Sequence, residues 1–287
     1  MARTAALRQA EPIATNQIAS IALSVANGQR DGNGVRFFVM TTGEPSKGPV
    51  SSFALWNIAR CLYLSPTVSR VEATILGELL ATTTDQPLVL QCSGARGPVE
   101  AFGTAYCHHR HPATQCHLTK QLVLYVLETL QVPSHIAGRM REATCDDVVR
   151  MKGWAALYGE SIGVSLKETD AFVDRTFQTK GLFLWEDAAG SPVAFAGHSP
   201  AIQLDDGVVY RIGPVFVDET ERRKGYGSAL TAALSGFVLN KDATAARVCL
   251  YADAANPASN KAYQNVGYVL HSETCELDFT VVEAPTP

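Results

Sequence analysis

Long hydrophobic runs and an excess of positive charge are both missing from this 287-residue sequence. A membrane-spanning helix needs about 18 or more apolar residues in succession. The best candidate, residues 18–26, is short and has no cationic stretch directly before it, so we expect neither a membrane partner nor secretion. The 24 Lys and Arg residues are outnumbered by 28 Asp and Glu residues. Without a broad basic surface, nucleic acid is not an expected partner.

Cysteine is present, but not in the pattern of a disulfide framework. Seven cysteines, an odd number, are scattered from Cys61 to Cys275, which is typical of a reducing compartment and predicts a cytoplasmic location. The densest cluster of Cys and His covers residues 107–111 and 116–117. Because no second pair of ligands follows at a zinc-site spacing, we predict no metal, with zinc as the alternative.

The length fits two domains of ordinary size. Residues 1–33, which end in a polar, glycine-rich stretch, predict a flexible N-terminal segment. Two domains then follow at 34–138 and 139–287, separated at a turn-rich segment. In the first domain, residues 35–40 predict a strand, and the apolar spacing within 52–64 and 69–82 predicts two helices.

An internal similarity suggests that the two domains are related. Residues 87–103 overlay residues 181–197 without a gap, with six identical positions, and each copy predicts a strand, a polar turn and a strand. A chance likeness of two hairpins is the alternative. At the same offset, Gly225 and Gly227 correspond to Gln131 and Pro133, so the first copy lacks the glycine-rich turn of the second.

That turn is the strongest functional signal in the second domain. Residues 210–217 predict a strand, which leads through an acidic segment to Gly225 and Gly227. Apolar residues then recur at helical spacing within 228–238, so the two glycines lie at the N-terminus of an amphipathic helix. Such a position binds phosphate, because glycines let amide groups converge and the helix end supplies unpaired N–H donors.

Three cations, Arg222, Arg223 and Lys224, reinforce this anion site. A dinucleotide-binding turn would need a third glycine where Leu230 stands, and a P-loop would need Gly-Lys-Ser/Thr, which is absent. Both rival phosphate motifs are therefore disfavoured by spacing. A tight strand-to-helix turn with no ligand remains the structural alternative.

A second motif follows the buried strand predicted at 247–251. Asn256 is a good N-cap, Pro257 suits the first helical position, and Gly267 suits the left-handed residue after the helix. Tyr263 lies two turns along this helix. A core tyrosine is the alternative to a functional one.

The order of strand, Arg-x-x-Gly-x-Gly turn at 222–227, helix, strand and the segment 256–268 resembles the GNAT superfamily of acyl-CoA N-acyltransferases. The resemblance covers about residues 142–280. The stretch 250–268 is similar to a two-domain group of GNAT proteins whose N-terminal half is a degenerate copy of the fold. It implies an α/β GNAT fold with a mixed, mostly antiparallel central sheet flanked by helices. The fold would occur as two tandem units, of which 139–287 is catalytic.

The resemblance also implies a function, namely transfer of an acetyl group from acetyl-CoA directly to a primary amine. Tyr263 would be the general acid that protonates the coenzyme A thiolate. An amide near Phe216 or Val217 would polarise the thioester carbonyl. The implied cofactor-binding residues are Val215, Phe216, Val217, Arg222, Arg223, Lys224, Gly225, Tyr226, Gly227, Ser228, Asn256 and Ser259.

The general base is not identified by this resemblance. Arg211 occupies the strand position that carries a glutamate in some family members, and it suggests an anionic group on the substrate. His198, Glu186 and Asp187 are the candidates for the base. Because none is compelling, a non-catalytic acyl-CoA-binding regulatory protein is the alternative function. The acceptor is a small-molecule or peptide amine, and a homodimer is possible.

Overall fold

Two groups of strands and helices, each with its own core, make up the part of the chain that the computed structural model describes, residues 2–43, 48–241 and 245–282. The first unit contains Met1–Leu124, Asp253–Ala255 and Ser272–Pro287, and the second contains Tyr125–Ala252 and Asn256–His271. This division differs from the single boundary expected at residue 138. The end of the chain belongs to the first unit rather than the second.

The helices and strands alternate along the chain. They are α1 (Ala5–Ala10), α2 (Asn16–Ala26), β1 (Val35–Thr41), β2 (Val50–Asn57), β3 (Cys61–Leu64), α3 (Arg70–Thr82), β4 (Gln91–Gly94), α4 (Arg96–His109), β5 (Thr114–Leu127), β6 (Arg139–Glu142), α5 (Val148–Ile162), α6 (Leu166–Gln178), β7 (Leu182–Glu186), β8 (Pro192–His198), β9 (Ile202–Leu204), β10 (Gly207–Val217), α7 (Tyr226–Leu239), β11 (Ala246–Asp253), α8 (Pro257–Val266) and β12 (Tyr268–Val281). Among the described helices, none combines the length and the hydropathy that a membrane span requires.

Each unit is built on a mixed, mostly antiparallel sheet, which confirms the predicted α/β fold class. In the first unit β1–β2 and β2–β3 are antiparallel, β3–β4 is parallel, and β4 pairs with the end of β12. In the second unit β6–β7, β7–β8, β8–β10 and β9–β10 are antiparallel, and β10–β11 is parallel. The order β1-β2-β3-α3-β4-α4 in the first unit therefore recurs as β7-β8-β10-α7-β11-α8 in the second.

The N-terminal segment is ordered rather than flexible. Helix α2 buries Ile18 and Ile21 against Phe53, Leu55 and Tyr63 of the first sheet. Burying such apolar side chains contributes about 1.5–3 kcal/mol for each one. The expectation of a flexible segment at 1–33 is therefore corrected, because one face of this segment completes a core.

Two local predictions in the first unit are wrong. Residues 52–64 form the hairpin β2–β3 instead of a helix, because residues 53–56 are buried on both faces of the sheet and leave no polar side to show a strand period. Residues 87–103 contain β4 and the start of α4 instead of a hairpin. The 94-residue repeat is therefore not the structural one, in which β4 corresponds to β11. The predicted helix at 69–82 is confirmed as α3.

A charge network fixes the start of α5 in the second unit. Arg141 donates two hydrogen bonds to the Asp147 carboxylate, at 2.6 and 2.9 Å, and its Nε donates to Glu186 at 2.5 Å. Asp147 also accepts from the Thr144 backbone N–H at 2.8 Å. The Arg141 side chain is 27% exposed, and both acids are nearly buried. The hydrogen bonds from Arg141 lower the pKa of Asp147 to about 2.

We expect Arg141→Met to lower the free energy of unfolding by about 3 kcal/mol at neutral pH, because it leaves two nearly buried carboxylates without their partner. The folded-state pKa of Asp147 lies below its ordinary value of 3.8, so its stabilisation is complete above that value and is lost as pH falls towards about 2. In urea unfolding between pH 7 and pH 3, the difference in free energy of unfolding between wild type and variant should become smaller as the pH falls. Arg139→Met is the control, because Arg139 binds the same Glu186 but is 78% exposed and should cost less than about 1 kcal/mol. A difference that is constant across this pH range contradicts the assignment.

Candidate functional site

Strands β10 and β11 are paired along only part of their length in the second sheet. Their parallel pairing runs from Val208 with Ala246 to Ile212 with Leu250, and no described pair continues beyond, although β10 extends to Val217. A cleft therefore opens between the carboxyl ends of two adjacent parallel strands. In open α/β sheets, ligands bind outside these strand ends.

A bulge in β10 coincides with the point where the strands diverge. Ile212 pairs with His198 on β8 and Val215 pairs with Ala196, so β10 carries one residue more than β8 between these pairs. Gly213, with φ of +146°, lies in the bulge beside Pro214, which has no N–H to donate to a neighbouring strand. The Gly-Pro pair inside a strand-like run is a sequence signal for such a bulge, although the bulge is not among the predictions given above.

Backbone groups of Val215 and Val217 face the cleft. The Asp218 N–H donates to the Val193 carbonyl at 3.0 Å, so Asp218 and Phe216 direct their backbone groups towards β8. Because these groups alternate along a strand, those of Val215 and Val217 point the other way. Arg222 Nε accordingly reaches the Val217 carbonyl at 3.3 Å.

Phe216 has a different role from its two neighbours. Its backbone groups face β8, and its side chain is buried between Trp154 and Phe195, with ring centroids 6.1 and 6.0 Å away. The expectation of Phe216 as a cofactor residue is therefore replaced by a core residue that supports the cleft edge. The free edge belongs to Val215 and Val217.

The glycine-rich turn leaves an open helix N-terminus. Gly225, with φ of +85°, is the N-cap of α7 and offers no side-chain acceptor. The first helical hydrogen bond runs from the Ala229 N–H to the Gly225 carbonyl, at 3.0 Å. The N–H groups of Tyr226, Gly227 and Ser228 therefore have no acceptor within the helix, which is the arrangement that binds an anion.

The cations of the turn are held by weak, exchangeable pairs. Arg222 contacts Glu219 at 3.2 Å and Lys224 contacts Glu221 at 2.8 Å, with both cations about half exposed. Exposed ion pairs of this kind stabilise a protein by about 0–1 kcal/mol, so an anionic ligand can replace the two glutamates as the partner of the cations. Arg223, with φ of +67°, forms no ion pair within residues 2–43, 48–241 and 245–282.

Helix α5 holds the start of the turn in place. Trp154 Nε1 donates to Asp218 at 3.1 Å, and the other oxygen of Asp218 accepts from the Thr220 hydroxyl at 2.7 Å and from its N–H at 3.1 Å. These hydrogen bonds, with the Thr220 hydroxyl first, lower the pKa of Asp218. Trp154 was not among the residues predicted for the site, and its position on α5 is a tertiary feature without a local signal.

Helix α8 begins as predicted. The Asn256 side-chain oxygen accepts from the Ser259 N–H at 3.1 Å, Pro257 occupies the first turn, and Gly267 ends the helix with φ of +101°. The cap uses the acceptor of the Asn256 amide and leaves its NH₂ group as a donor. Because α8 follows β11, Asn256 and Ser259 lie at the same carboxyl end of the parallel pair as the turn before α7.

Tyr263 is a buried side chain, 9% exposed, with the rings of Tyr125 and Tyr268 centred 6.5 and 6.3 Å away. Burial raises the pKa of Tyr263 well above its ordinary value, and neighbouring Tyr158 adds to the shift. The hydroxyl is therefore protonated at neutral pH. It makes none of the hydrogen bonds found among the described residues.

Comparison with known proteins finds a family whose model matches this part of the chain. Residues 152–268 match the family model described as the Acetyltransferase (GNAT) family. The chain contains a GNAT domain. The matched residues include the divergent strands, the turn before α7 and helix α8 as far as Tyr268. A search of the curated proteins finds no match.

Solved structures extend the likeness to both units. A Drosophila protein matches with a TM-score of 0.62 at 16% identity, covering 92% of this chain and 88% of its own. A GCN5-related N-acetyltransferase from Sphaerobacter thermophilus matches with a TM-score of 0.57 at 14% identity, covering 90% of this chain and 85% of its own. A tandem GNAT protein from the clavulanic acid biosynthesis pathway matches with a TM-score of 0.53 at 13% identity, covering 91% of this chain and 87% of its own. At these identities the likeness shows the fold.

The first GNAT-like unit has no open helix end at the position that corresponds to the turn before α7. Helix α3 is closed by a capping box, in which the Ser69 hydroxyl accepts from the Glu72 N–H at 3.2 Å and Glu72 accepts from the Ser69 N–H at 2.8 Å. The Glu72 carboxylate thus occupies the position an anion would take. The start of α3 therefore has fewer N–H groups free for a ligand than the start of α7.

The three candidate bases of the GNAT domain are all engaged in other contacts. His198 is buried, its Nδ1 lies 2.7 Å from the Ser199 carbonyl, and its Nε2 lies 3.4 Å from Lys241 Nζ. Burial lowers the pKa of His198, so the ring is neutral. Glu186 is bound by the two arginines described above, and Asp187 accepts from the N–H groups of a tight turn at 2.9 Å.

The structure also gives the positions of Arg211 and of the Cys/His cluster at 107–117. Arg211 lies on β10, next to the divergence point, and its N–H donates to the Ser199 hydroxyl at 3.0 Å. The Cys/His cluster divides between the end of α4 and the start of β5. Within the described residues, no group of three or more His, Cys, Asp or Glu side chains is arranged to hold a metal.

The Gly225 position should be intolerant of any side chain. A Cβ there would lie 2.5 Å from Ile136 Cδ1, and the left-handed backbone adds strain. We expect Gly225→Ala to cost about 2 kcal/mol of unfolding free energy, and part of this loss to disappear when Ile136→Ala is the background. Urea unfolding of the four proteins in the cycle measures the coupling.

The matched control is Gly153→Ala on exposed α5, where an added Cβ meets nothing within 4 Å. This substitution should stabilise the protein by up to about 1 kcal/mol, because alanine favours a helix. Equal effects of the two alanines would show that the Gly225 turn carries no special constraint.

Proposed function

We propose that the second unit transfers an acetyl group from acetyl-CoA to a primary amine. One observation carries the proposal: the edge of β10 at Val215 and Val217, which pairs with no described residue of β11, leads through the turn at 218–225 to the open N-terminus of α7. A single elongated ligand can satisfy both features, with amide groups that pair along a strand edge and phosphates that accept from a helix end. Coenzyme A has this composition. The GNAT domain at 152–268 supports an acyltransferase of this class.

The proposed chemistry needs no covalent intermediate. The neutral amine nitrogen attacks the thioester carbonyl, and an N–H of Val215 or Val217 stabilises the developing negative charge on its oxygen. The carbon–sulfur bond then breaks, and Tyr263 donates its proton to the thiolate as general acid. Arg223, with the amides of 226–228, holds the pyrophosphate, and Asn256 and Ser259 contact the cofactor arm.

A second function, acyl-CoA binding without transfer, is supported by a specific observation. A lysine-like amine has a pKa of about 10.4 in water and must lose its proton before attack. His198, Glu186 and Asp187, the candidate bases, each already bind another part of the protein. Deprotonation in the transferase therefore depends on desolvation of the amine or on water.

The acceptor is proposed as a small-molecule or peptide amine. Arg211 beside the divergence point supports an anionic group on that acceptor. All seven cysteines are free thiols in the structure, which supports a cytoplasmic site of action.

Titration calorimetry with acetyl-CoA and with free coenzyme A tests the cofactor site. We expect micromolar binding of both by the wild type and at least a 100-fold loss in Gly225→Glu, which adds bulk and negative charge at the phosphate turn. Gly153→Glu places the same side chain on an exposed helix and should bind as the wild type does. Absence of binding by the wild type would remove the proposed function.

The variant Tyr263→Phe distinguishes a transferase from a protein that binds acyl-CoA without transferring the acyl group. We expect the variant to retain its affinity for coenzyme A and to lose about 10²–10⁴-fold in turnover, measured as thiol release with an amine panel, because the proton donor is gone. Tyr106→Phe in the first unit is the control. It removes a hydroxyl that accepts from the Val89 N–H at 3.0 Å and should alter stability without altering turnover. Unchanged turnover in Tyr263→Phe would remove its acid role.

A further inference from the structure

Two cysteine side chains of the first unit, Cys107 and Cys116, have no part in the proposed reaction. They belong to the Cys/His cluster at 107–117, which is not arranged as a metal site within the described residues. Cys107 lies in the last turn of α4 and Cys116 near the start of β5. Both are half-buried free thiols that pack against the core of this unit. Thiols that lie side by side can be joined by oxidation.

A glycine lets β5 bring the Cys116 sulfur up to α4. A Cβ at position 103 would lie 3.1 Å from Cys116 Sγ, so a side chain there would press against the sulfur. Gly103 precedes Cys107 by one helical turn and lies on the same face of α4. The Cys116 sulfur therefore lies on the part of the α4 surface directly before Cys107.

The direction of the Cys107 side chain completes the pair. Side chains on an α-helix point back towards its N-terminus and cover the preceding turn. For Cys107 this is the turn that contains Gly103, where the Cys116 sulfur lies. The two thiols accordingly form a hydrogen bond with each other. They are therefore in the position from which one sulfur can attack the other.

The two thiols are not equivalent. Burial raises the pKa of the Cys107 thiol to about 12, and neighbouring Cys116 adds to the shift. Cys107 therefore keeps its proton at neutral pH and donates its S–H to Cys116 Sγ. Such a donor stabilises negative charge on its acceptor, which favours Cys116 as the attacking sulfur. Cys107 is then the second, resolving thiol.

We propose that Cys107 and Cys116 form a reversible disulfide when the protein meets a hydroperoxide. The Cys116 thiolate attacks a peroxide oxygen, the O–O bond breaks, and hydroxide leaves, so that Cys116 becomes a sulfenic acid. The Cys107 sulfur then attacks Cys116 Sγ, and its proton leaves with the hydroxyl group as water. With hydrogen peroxide, two thiols are oxidised and one peroxide is reduced to two molecules of water. A dithiol reductant reverses the bond.

The disulfide would connect the last turn of α4 to the start of β5. The other thiols of the first unit, Cys61, Cys92 and Cys275, are buried and therefore closed to the oxidant. Cys145 in the second unit is exposed and would be oxidised on its own. Full-length protein with Cys145→Ser is therefore the background for the experiment.

Peptide mapping by mass spectrometry under non-reducing conditions, before and after treatment with hydrogen peroxide, tests the pair. After treatment, Cys107 and Cys116 of one chain should be joined, with a mass lower by two hydrogen atoms, and dithiothreitol should restore both thiols. Added Cys107→Ser should leave Cys116 as a sulfenic acid that dimedone traps. Added Cys116→Ser should leave Cys107 unmodified, because the attacking sulfur is gone.

Two free thiols at 107 and 116 after treatment would overturn the proposal. A disulfide from either residue to another cysteine, such as Cys92, or to a second chain would also overturn it, since the contact on α4 would then not direct the reaction. Trapping of Cys107 by dimedone in the Cys116→Ser variant would contradict the order of the two steps. The mapping of the unsubstituted pair needs no change in the core, so it remains decisive if a serine variant folds poorly.

Discussion

The loss of pairing between β10 and β11 beyond Ile212 is the constraint on which the functional part of the structure depends. A parallel pair that continued to Val217 would satisfy the strand edge internally and leave no room for a ligand. The bulge at Gly213 and Pro214 ends the pairing, since Pro214 cannot donate and the extra residue turns the next amides. Behind this edge, Phe216 packs against Trp154 and Phe195, and this packing supports the strand that carries Val215 and Val217.

The two units show how one fold can keep or lose an open helix N-terminus through a few residues. Both place a helix after the parallel strand, at α7 and at α3. In α7 the N-cap is a glycine without a side-chain acceptor, and the first amides remain available. In α3 the N-cap is Ser69, and Glu72 supplies both the acceptor and the negative charge. A ligand phosphate would have to displace that carboxylate and face its repulsion, so the capping box that stabilises α3 also closes the site.

The sequence predicted the elements whose signals are local. Asn256, Pro257 and Gly267 mark the ends of α8 through caps that depend on neighbouring residues alone, and Gly225 marks the start of α7 in the same way. Residues 53–56 are buried on both sides of a sheet, so their alternation disappears and a helical spacing arises by coincidence. The second strand of the hairpin predicted at 87–103 is instead the start of α4, where Pro98 fits because its missing N–H has no helical acceptor to lose in the first turn. The link from Trp154 to Asp218 joins distant segments and has no local signal.

Burial of Tyr263 decides how the proposed proton transfer can work. A tyrosine with a pKa raised by burial is a weaker acid than a thiol in water, where the thiol pKa is about 8.5. Transfer to a solvated thiolate would therefore be uphill. In the proposed reaction the thiolate would leave into surroundings from which the bound cofactor excludes water, and desolvation would raise its proton affinity as well. The pKa values of the two groups would approach each other only while water is excluded, so Tyr263 would be a competent donor only with the cofactor bound. Access of water would protonate the thiolate from solvent and leave the tyrosine without a role.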